Sequence, residues 1–276
     1  MLDEGGIIAD GRTLGIASPV ALVGIAEKGY VSIELAVEAE GGHSSMPPRH
    51  TAIGILARAI DRLEKHRIKA QFEGPIRQAL DYLGPEMPFT KRMIYANLWC
   101  FGWLAKRRLA RFPATDALIR TTTAPTIVRG GLKENALPIR TQATVNFRIH
   151  PGDNVKKVVT HVRKTVNDSR VKIAPIEGQL TTEPSRKSSV ESDSFRLLHR
   201  TIRQVYPDVL VVPYLVVGMT DSRHYGRICD NIFRFAPLQL KAEETKMVHG
   251  TNERLSIEDY AQSIRFYVQL TRNSTL

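Results

Sequence analysis

The sequence predicts an α/β protein in which a compact α+β domain is inserted into a larger sheet-based domain. Three observations carry this. Between residues 29 and 178 the hydrophobic periods run strand, helix, strand, strand, helix, strand, the split βαβ or ferredoxin-like order. Val209 to Val217 is almost continuously apolar, as expected of a strand covered on both faces of an α/β sheet. Residues 1–28 hold two short strand-like pieces and no helix of their own, so they join the same sheet as that later strand. The expected organisation is residues 1–28 and 179–276 in one domain and 29–178 in the other.

Each element has its own signal. Val31, Ile33, Leu35 and Val37 alternate, which is strand periodicity, and Gly41-Gly42 ends the strand. Ile53, Leu56, Ile60 and Leu63 recur at steps of three and four, one apolar stripe of a helix. Residues 67–124 contain several prolines and one amphipathic piece and read as an insertion. Within it Trp99, Phe101 and Trp103 stand beside the dense basic run Lys106 to Arg111. A packed helix accounts for these rings better than a base-stacking platform, with contact to a membrane surface as the alternative. Strands resume at Pro125–Val128 and at Ala143, Val145, Phe147 and Ile149. Pro151-Gly152-Asp153 then opens a helix with Val155, Val158, Val159, Val162 and Val166 on one face, and a short strand follows from Val171 to Ile176. Beyond a polar stretch, Phe195–Val205 is helical in pattern and Phe233–Ala236 strand-like. Ser256 caps a last helix whose Ile257, Tyr260, Ile264 and Val268 are expected to face inward.

Composition narrows the function classes. At 276 residues the chain can bury a substantial core. No run approaches the roughly 18 apolar residues of a membrane-spanning helix. A net charge of +11 admits an anionic partner, but basic residues spread over a solvated surface account for it, and no specific nucleic-acid recognition is expected. Two cysteines, Cys100 and Cys229, specify neither a disulfide framework nor a thiolate metal site.

Four constellations can carry chemistry. Leu2-Asp3-Glu4-Gly5-Gly6 places an acidic pair at a strand end, able to hold a metal or simply to sit solvated. Gly41-Gly42-His43-Ser44-Ser45-Met46-Pro47-Pro48 presents one histidine on a glycine-rich turn before a helix. That imidazole can donate to a developing oxyanion, or it can merely satisfy the turn. Gly218-Met219-Thr220-Asp221-Ser222-Arg223-His224 follows the buried strand. Its guanidinium suits two-point recognition of a carboxylate, with an Asp221–Arg223 ion pair as the plain alternative. Val248-His249-Gly250-Thr251-Asn252-Glu253 offers a single loop histidine, too few ligands for zinc by itself.

Taken together, LDEGG, GGHSSMPP, TTTAPTIVRGGLKENALP, TVNFRIHPG, GMTDSRHY and HGTNERLSIEDY, in this order, resemble carboxypeptidase S and the N-fatty-acyl-amino-acid hydrolase/synthase branch. More distantly they are similar to aminoacylase and succinyl-diaminopimelate desuccinylase, all co-catalytic zinc hydrolases. The resemblance spans essentially the whole chain. It implies a zinc-bearing α/β catalytic domain, here partial, interrupted by a ferredoxin-like lid that serves for dimerisation, hence a homodimer. It implies that Glu4 is the carboxylate ligand of one zinc and His249 the imidazole ligand of the other. By the same resemblance His43 is the lid histidine that reaches a neighbouring subunit's active site and polarises the scissile carbonyl. Asn135, Arg148 and Arg223 then match substrate-binding positions, the arginines facing a free carboxylate. Asn146 stands where distant relatives often have an acid.

The family's His-x-Asp motif, bridging Asp and Glu pair lie upstream of the LDEGG strand, and none of them precedes Met1. The expectation is a truncated zinc amidohydrolase, acting when complete on a short peptide or an N-acyl amino acid, with two zinc ions that this chain cannot retain. A non-catalytic dimerising or binding module built on the lid is the alternative. Relatives of this kind are vacuolar or secreted, and a targeting segment would lie in the absent part.

Overall fold

The computed structural model describes residues 1–240, 244, 247–248 and 250–275. The chain runs through β1 (Leu2–Asp3), β2 (Ile8–Ala9), β3 (Val20–Glu27), β4 (Gly29–Glu38) and β5 (Gly42–His43) to α1 (Ala52–Lys65). Four further helices follow: α2 (Pro75–Leu83), α3 (Phe89–Ala96), α4 (Leu98–Leu109) and α5 (Pro113–Ile119). Next come β6 (Thr122–Gly130), β7 (Ala136–Leu137), β8 (Arg140–Ile149), α6 (Val155–Val166) and β9 (Val171–Pro175). The last part holds α7 (Asp193–Val205), β10 (Leu210–Val216), β11 (Phe233–Arg234), β12 (Gln239–Leu240) and α8 (Ile257–Ser274). These elements form two compact units, one of residues 28–71 and 116–184, the other of residues 1–27, 72–115 and 185–276.

The first unit is the ferredoxin-like domain. Its antiparallel sheet has the order β6-β8-β4-β9. Val31, Ile33, Leu35 and Val37 of β4 and Ala143, Val145, Phe147 and Ile149 of β8 point to one face and are buried there under α1 and α6. The helices start where capping side chains allow. Thr51 accepts the Gly54 N–H at the head of α1 and Asn154 the Lys157 N–H at the head of α6. The buried face of α1 is Ala52, Ile55, Leu56, Ala59 and Leu63, rotated from the expected stripe, and Ile53 is left exposed.

The second unit is built on a six-stranded mixed sheet. β10 lies parallel to β3 along its length, β2 and β11 pair antiparallel with β3, and β1 and β12 extend β11 and β2. The strands β1, β2 and β3, all within residues 1–27, thus share a sheet with β10. One face buries Ala21, Val23, Ile25, Val211 and Phe233 beneath Phe195, Leu198 and Ile202 of α7 and Phe266 of α8.

The opposite face corrects the expected boundary. Residues 72–115, placed by the sequence inside the 29–178 domain, belong to the sheet unit. The reason is packing. α2 buries Ala79 and Leu83 against Val20 and Val212, covering the second face of the sheet. α3 and α4 then build on α2 through Leu80, Tyr95 and Ala105.

Two further expectations are overturned. Trp99 and Trp103 do not pack but lie on the exposed side of α4, because the inward stripe of that helix is Leu98, Ala105 and Leu109. Ser256 does cap α8, accepting the Asp259 N–H at 3.0 Å. Its Ile257, Tyr260, Ile264 and Val268 nevertheless face outward, and Ser263, Phe266 and Asn273 are the buried positions.

Candidate functional site

In the sheet unit the site grows from a buried polar network. Glu27 ends β3 and is almost fully buried. Its Oε1 accepts from the Thr220 N–H at 3.0 Å, from the Thr220 hydroxyl at 2.5 Å and from Arg234 Nε at 3.1 Å. Arg234 Nε also donates to Ser222 Oγ at 3.0 Å, and its Nη1 to the Ile232 carbonyl. Burial pulls the guanidinium pKa below its usual range and the Glu27 charge opposes that. Asp3, the last residue of β1, accepts the Ser222 N–H at 2.7 Å. The loop after β10 is therefore tied to both β1 and β3. Glu4 and Arg223, the exposed neighbours of Asp3 and Ser222, are carried on these two fixed points.

Both glycines after Glu4 have a structural reason. Gly5 has φ of +125°, which disfavours any side chain, and a Cβ on Gly6 would lie 1.8 Å from the Leu22 carbonyl oxygen. No Asp221–Arg223 ion pair is found among the described residues. Arg223 Nε instead donates to His224 Nε2 at 3.2 Å. His249 lies outside the described residues.

In the ferredoxin-like unit a two-stranded ribbon sets His43 opposite Ala136. The Ser44 N–H donates to the Asn135 carbonyl at 3.1 Å. His43 and Asn135, far apart in sequence, are thereby neighbours, and both are exposed. The Ser45 N–H donates to His43 Nδ1 at 3.2 Å, and the Ser45 hydroxyl lies 2.8 Å from the same atom. A ring nitrogen that accepts a backbone N–H carries no proton, so the neutral imidazole holds its proton at Nε2. Beside the ribbon runs a groove of about 480 Å³ lined by Arg129, Gly131, Leu132, Leu137, Ile139 and Arg140.

Arg148 is not in this ribbon. It stands on the open face of the sheet with its guanidinium 4.8 Å from the Tyr30 ring centroid, and the neighbouring Asn146 donates to Ser32 Oγ at 3.2 Å.

Sequence reasoning missed Glu27 and Arg234. Their only signal is a carboxylate and a guanidinium set in otherwise apolar strands. It also missed Lys28, a buried ammonium that donates to the Ala117 and Arg120 carbonyls at 2.9 Å each. Burial, aided by Arg148, brings the Lys28 pKa down to about 7. His150, also buried, is brought down to about 4 by burial and by the Lys28 charge.

Among the described residues no group of three or more His, Cys, Asp and Glu side chains is placed to hold a metal ion. Asp3 is committed to the Ser222 amide, which leaves Glu4 alone at that strand end. The described donors do not fit a pair of zinc ions.

The M20 peptidase dimerisation domain family matches residues 25–173. The chain is 42% identical over 275 residues to a probable carboxypeptidase S-like 2 of Dictyostelium discoideum, covering 99% of this chain and 52% of that protein. It is likewise 42% identical over 277 residues to N-fatty-acyl-amino acid synthase/hydrolase PM20D1.1 of Danio rerio, covering 99% and 53%. The chain thus spans about half the length of the curated relatives it matches. Among solved structures, the M20 family metallo-carboxypeptidase Sso-CP2 from Sulfolobus solfataricus superposes with a TM-score of 0.59 at 19% identity, over 92% of this chain and 60% of that one.

Proposed function

The chain belongs to the M20 peptidase family, whose dimerisation domain it contains, and on that premise we propose that it serves the hydrolysis of an amide or peptide bond beside an amino acid with a free carboxylate. The substrate class is an N-acyl amino acid or a short peptide. Water adds across the C–N bond, its oxygen going to the acyl carbon and a proton to the departing amine.

The observation that supports this reading is the ribbon that joins His43 to Asn135. With Nδ1 engaged by Ser45, His43 offers its Nε2–H to the carbonyl oxygen as negative charge develops there. Asn135 adds an amide group at the same place. Arg223 pairs with the substrate carboxylate through two parallel N–H donors. Arg148, its guanidinium 4.8 Å from the Tyr30 ring centroid, is the second candidate for that carboxylate.

The family typically uses zinc. Glu4 and His249 are proposed as single ligands of two different ions, a set too small for this chain alone to retain either. The partner is a second copy. β6 is a nine-residue edge strand whose later residues are exposed and carry no acid, whereas the opposite edge, β9, is short and guarded by Lys172 and Pro175.

Binding tests the substrate reading without requiring turnover. Titration calorimetry should show an N-acyl amino acid binding, its methyl ester binding at least tenfold more weakly, and Arg223→Ala abolishing the difference. An ester that binds as well as the acid overturns the carboxylate assignment. Zinc per chain after dialysis should be near zero, and two per chain would overturn the incomplete donor set.

A further inference from the structure

Residues 89–112 carry six cationic side chains, Lys91, Arg92, Lys106, Arg107, Arg108 and Arg111, and no Asp or Glu. The same segment holds both tryptophans of the chain. Trp99 and Trp103, one helical turn apart on α4, are 87% and 66% exposed. Phe89 and Met93, one turn apart on α3, are 78% and 42% exposed, and Phe112 beyond α4 is 65% exposed. The inner stripe of α4 is already spent on the cluster with Leu80 and Tyr95. The outer face is thus apolar, aromatic and cationic at once, and it has no covering element among the described residues. Large exposed apolar rings grouped in this way mark an interaction surface.

We propose that the α3–α4 pair docks on an anionic phospholipid bilayer. The indoles and Phe89, Met93 and Phe112 enter the boundary between headgroups and acyl chains, where amphipathic rings are favoured. The exposed Arg92, Arg107, Arg108 and Arg111 lie against the lipid phosphates and carboxylates. Charge decides between this surface and the other occupants. A second copy meeting the same patch across a two-fold axis would set these arginines against their own copies. A nucleic acid supplies negative charge but no apolar layer for Phe89, Met93 and Phe112.

Because Trp99 and Trp103 are the only tryptophans, intrinsic tryptophan fluorescence of the full chain reads this patch alone. On adding vesicles of phosphatidylcholine with phosphatidylserine, emission shifts to the blue, and lipids brominated on their acyl chains quench it. Phosphatidylcholine alone gives neither effect. Changing Arg107→Gln together with Arg108→Gln weakens vesicle co-sedimentation about twenty-five-fold, about fivefold for each cation near the anionic surface. Trp99→Ser with Trp103→Ser abolishes it while leaving the circular dichroism spectrum unchanged. Emission that is indifferent to the anionic vesicles overturns the proposal. So does emission already blue in vesicle-free protein and dependent on protein concentration, which would assign the patch to a second copy. Sedimentation that survives loss of both tryptophans reduces the contact to charge alone and also overturns it.

Discussion

Arg234→Met is the most informative single perturbation of the sheet unit. Both ends of the Glu27–Arg234 pair are buried, with side chains 3% and 1% exposed and 3.1 Å between Oε1 and Nε. The substitution keeps much of the side-chain volume but deletes the bonds to Glu27, Ser222 Oγ and the Ile232 carbonyl. Glu27 is left as a buried carboxylate that retains only the Thr220 N–H and hydroxyl. Removing one member of such a pair costs about 3–5 kcal/mol. The two surviving Thr220 bonds place the expected loss near the lower end, at about 3 kcal/mol. Replacing both partners, Glu27→Leu with Arg234→Met, removes the stranded charge and should recover most of that loss. Urea unfolding followed by far-UV circular dichroism measures the two single variants, Arg234→Met and Glu27→Leu, and the double variant. Amide exchange at Thr220 and Ser222 shows whether the loop after β10 is released with the pair. A single-variant loss under about 1 kcal/mol, or losses that simply add in the double variant, would refute the reasoning, since coupling of a buried pair must appear as non-additivity.

Other perturbations separate packing from site chemistry. Gly6→Ala puts a Cβ 1.8 Å from the Leu22 carbonyl oxygen and 2.7 Å from that of Arg234, so it should cost more than about 3 kcal/mol, seen as a lower urea midpoint. Gly42→Ala, with nothing within 4 Å, should be close to neutral in the same assay. Lys28 gives up its proton at about 7 in the folded chain and at about 10.5 when unfolded. The unfolded state then binds more protons across that window, and stability should rise with pH through it, by at most about 5 kcal/mol. Lys28→Met should flatten the rise. His150 acts in the same sense lower down, so stability should fall as pH drops from 6.5 towards 4. If β6 is the edge that pairs with a second copy, Ile127→Lys should shift sedimentation equilibrium towards monomer, and an unchanged association constant would assign the contact elsewhere.

The ferredoxin-like unit is legible in the sequence because its alternations are clean on β4 and β8 and its second helix keeps a valine stripe from Val155 to Val166. The site is legible only in pieces. His43 and Asn135 meet through two strands of two residues each, too short to show any period. Glu27 and Arg234 each read alone as a charged residue near a strand end. Only the register that sets Arg234 opposite Gly24 brings the guanidinium across to Glu27. The helix α2 shows its apolar face in the sequence, but nothing local says that the sheet of β3 and β10, and not that of β4 and β8, receives it.

The same distinction governs α4 and α8, where the period is real and the inference from it fails. An apolar stripe gives the direction of a helical face, while its burial depends on what the opposite face requires. On α8 the opposite face carries Ser263, whose hydroxyl reaches the Pro237 carbonyl, and Asn273, whose amide donates to Thr201 Oγ1 and Gln204 Oε1 at 2.8 Å each. Phe266 lies between them, edge-on to Phe235 at 5.5 Å. Turning the helix to bury Ile264 and Val268 would leave the buried Thr201 Oγ1 without its donor and expose Phe266. Each unsatisfied buried group costs about 1–3 kcal/mol, comparable with the roughly 1.5–3 kcal/mol gained by burying one aliphatic side chain. The observed orientation buries the phenylalanine and satisfies the polar groups together, so the aliphatic stripe is the face left to solvent.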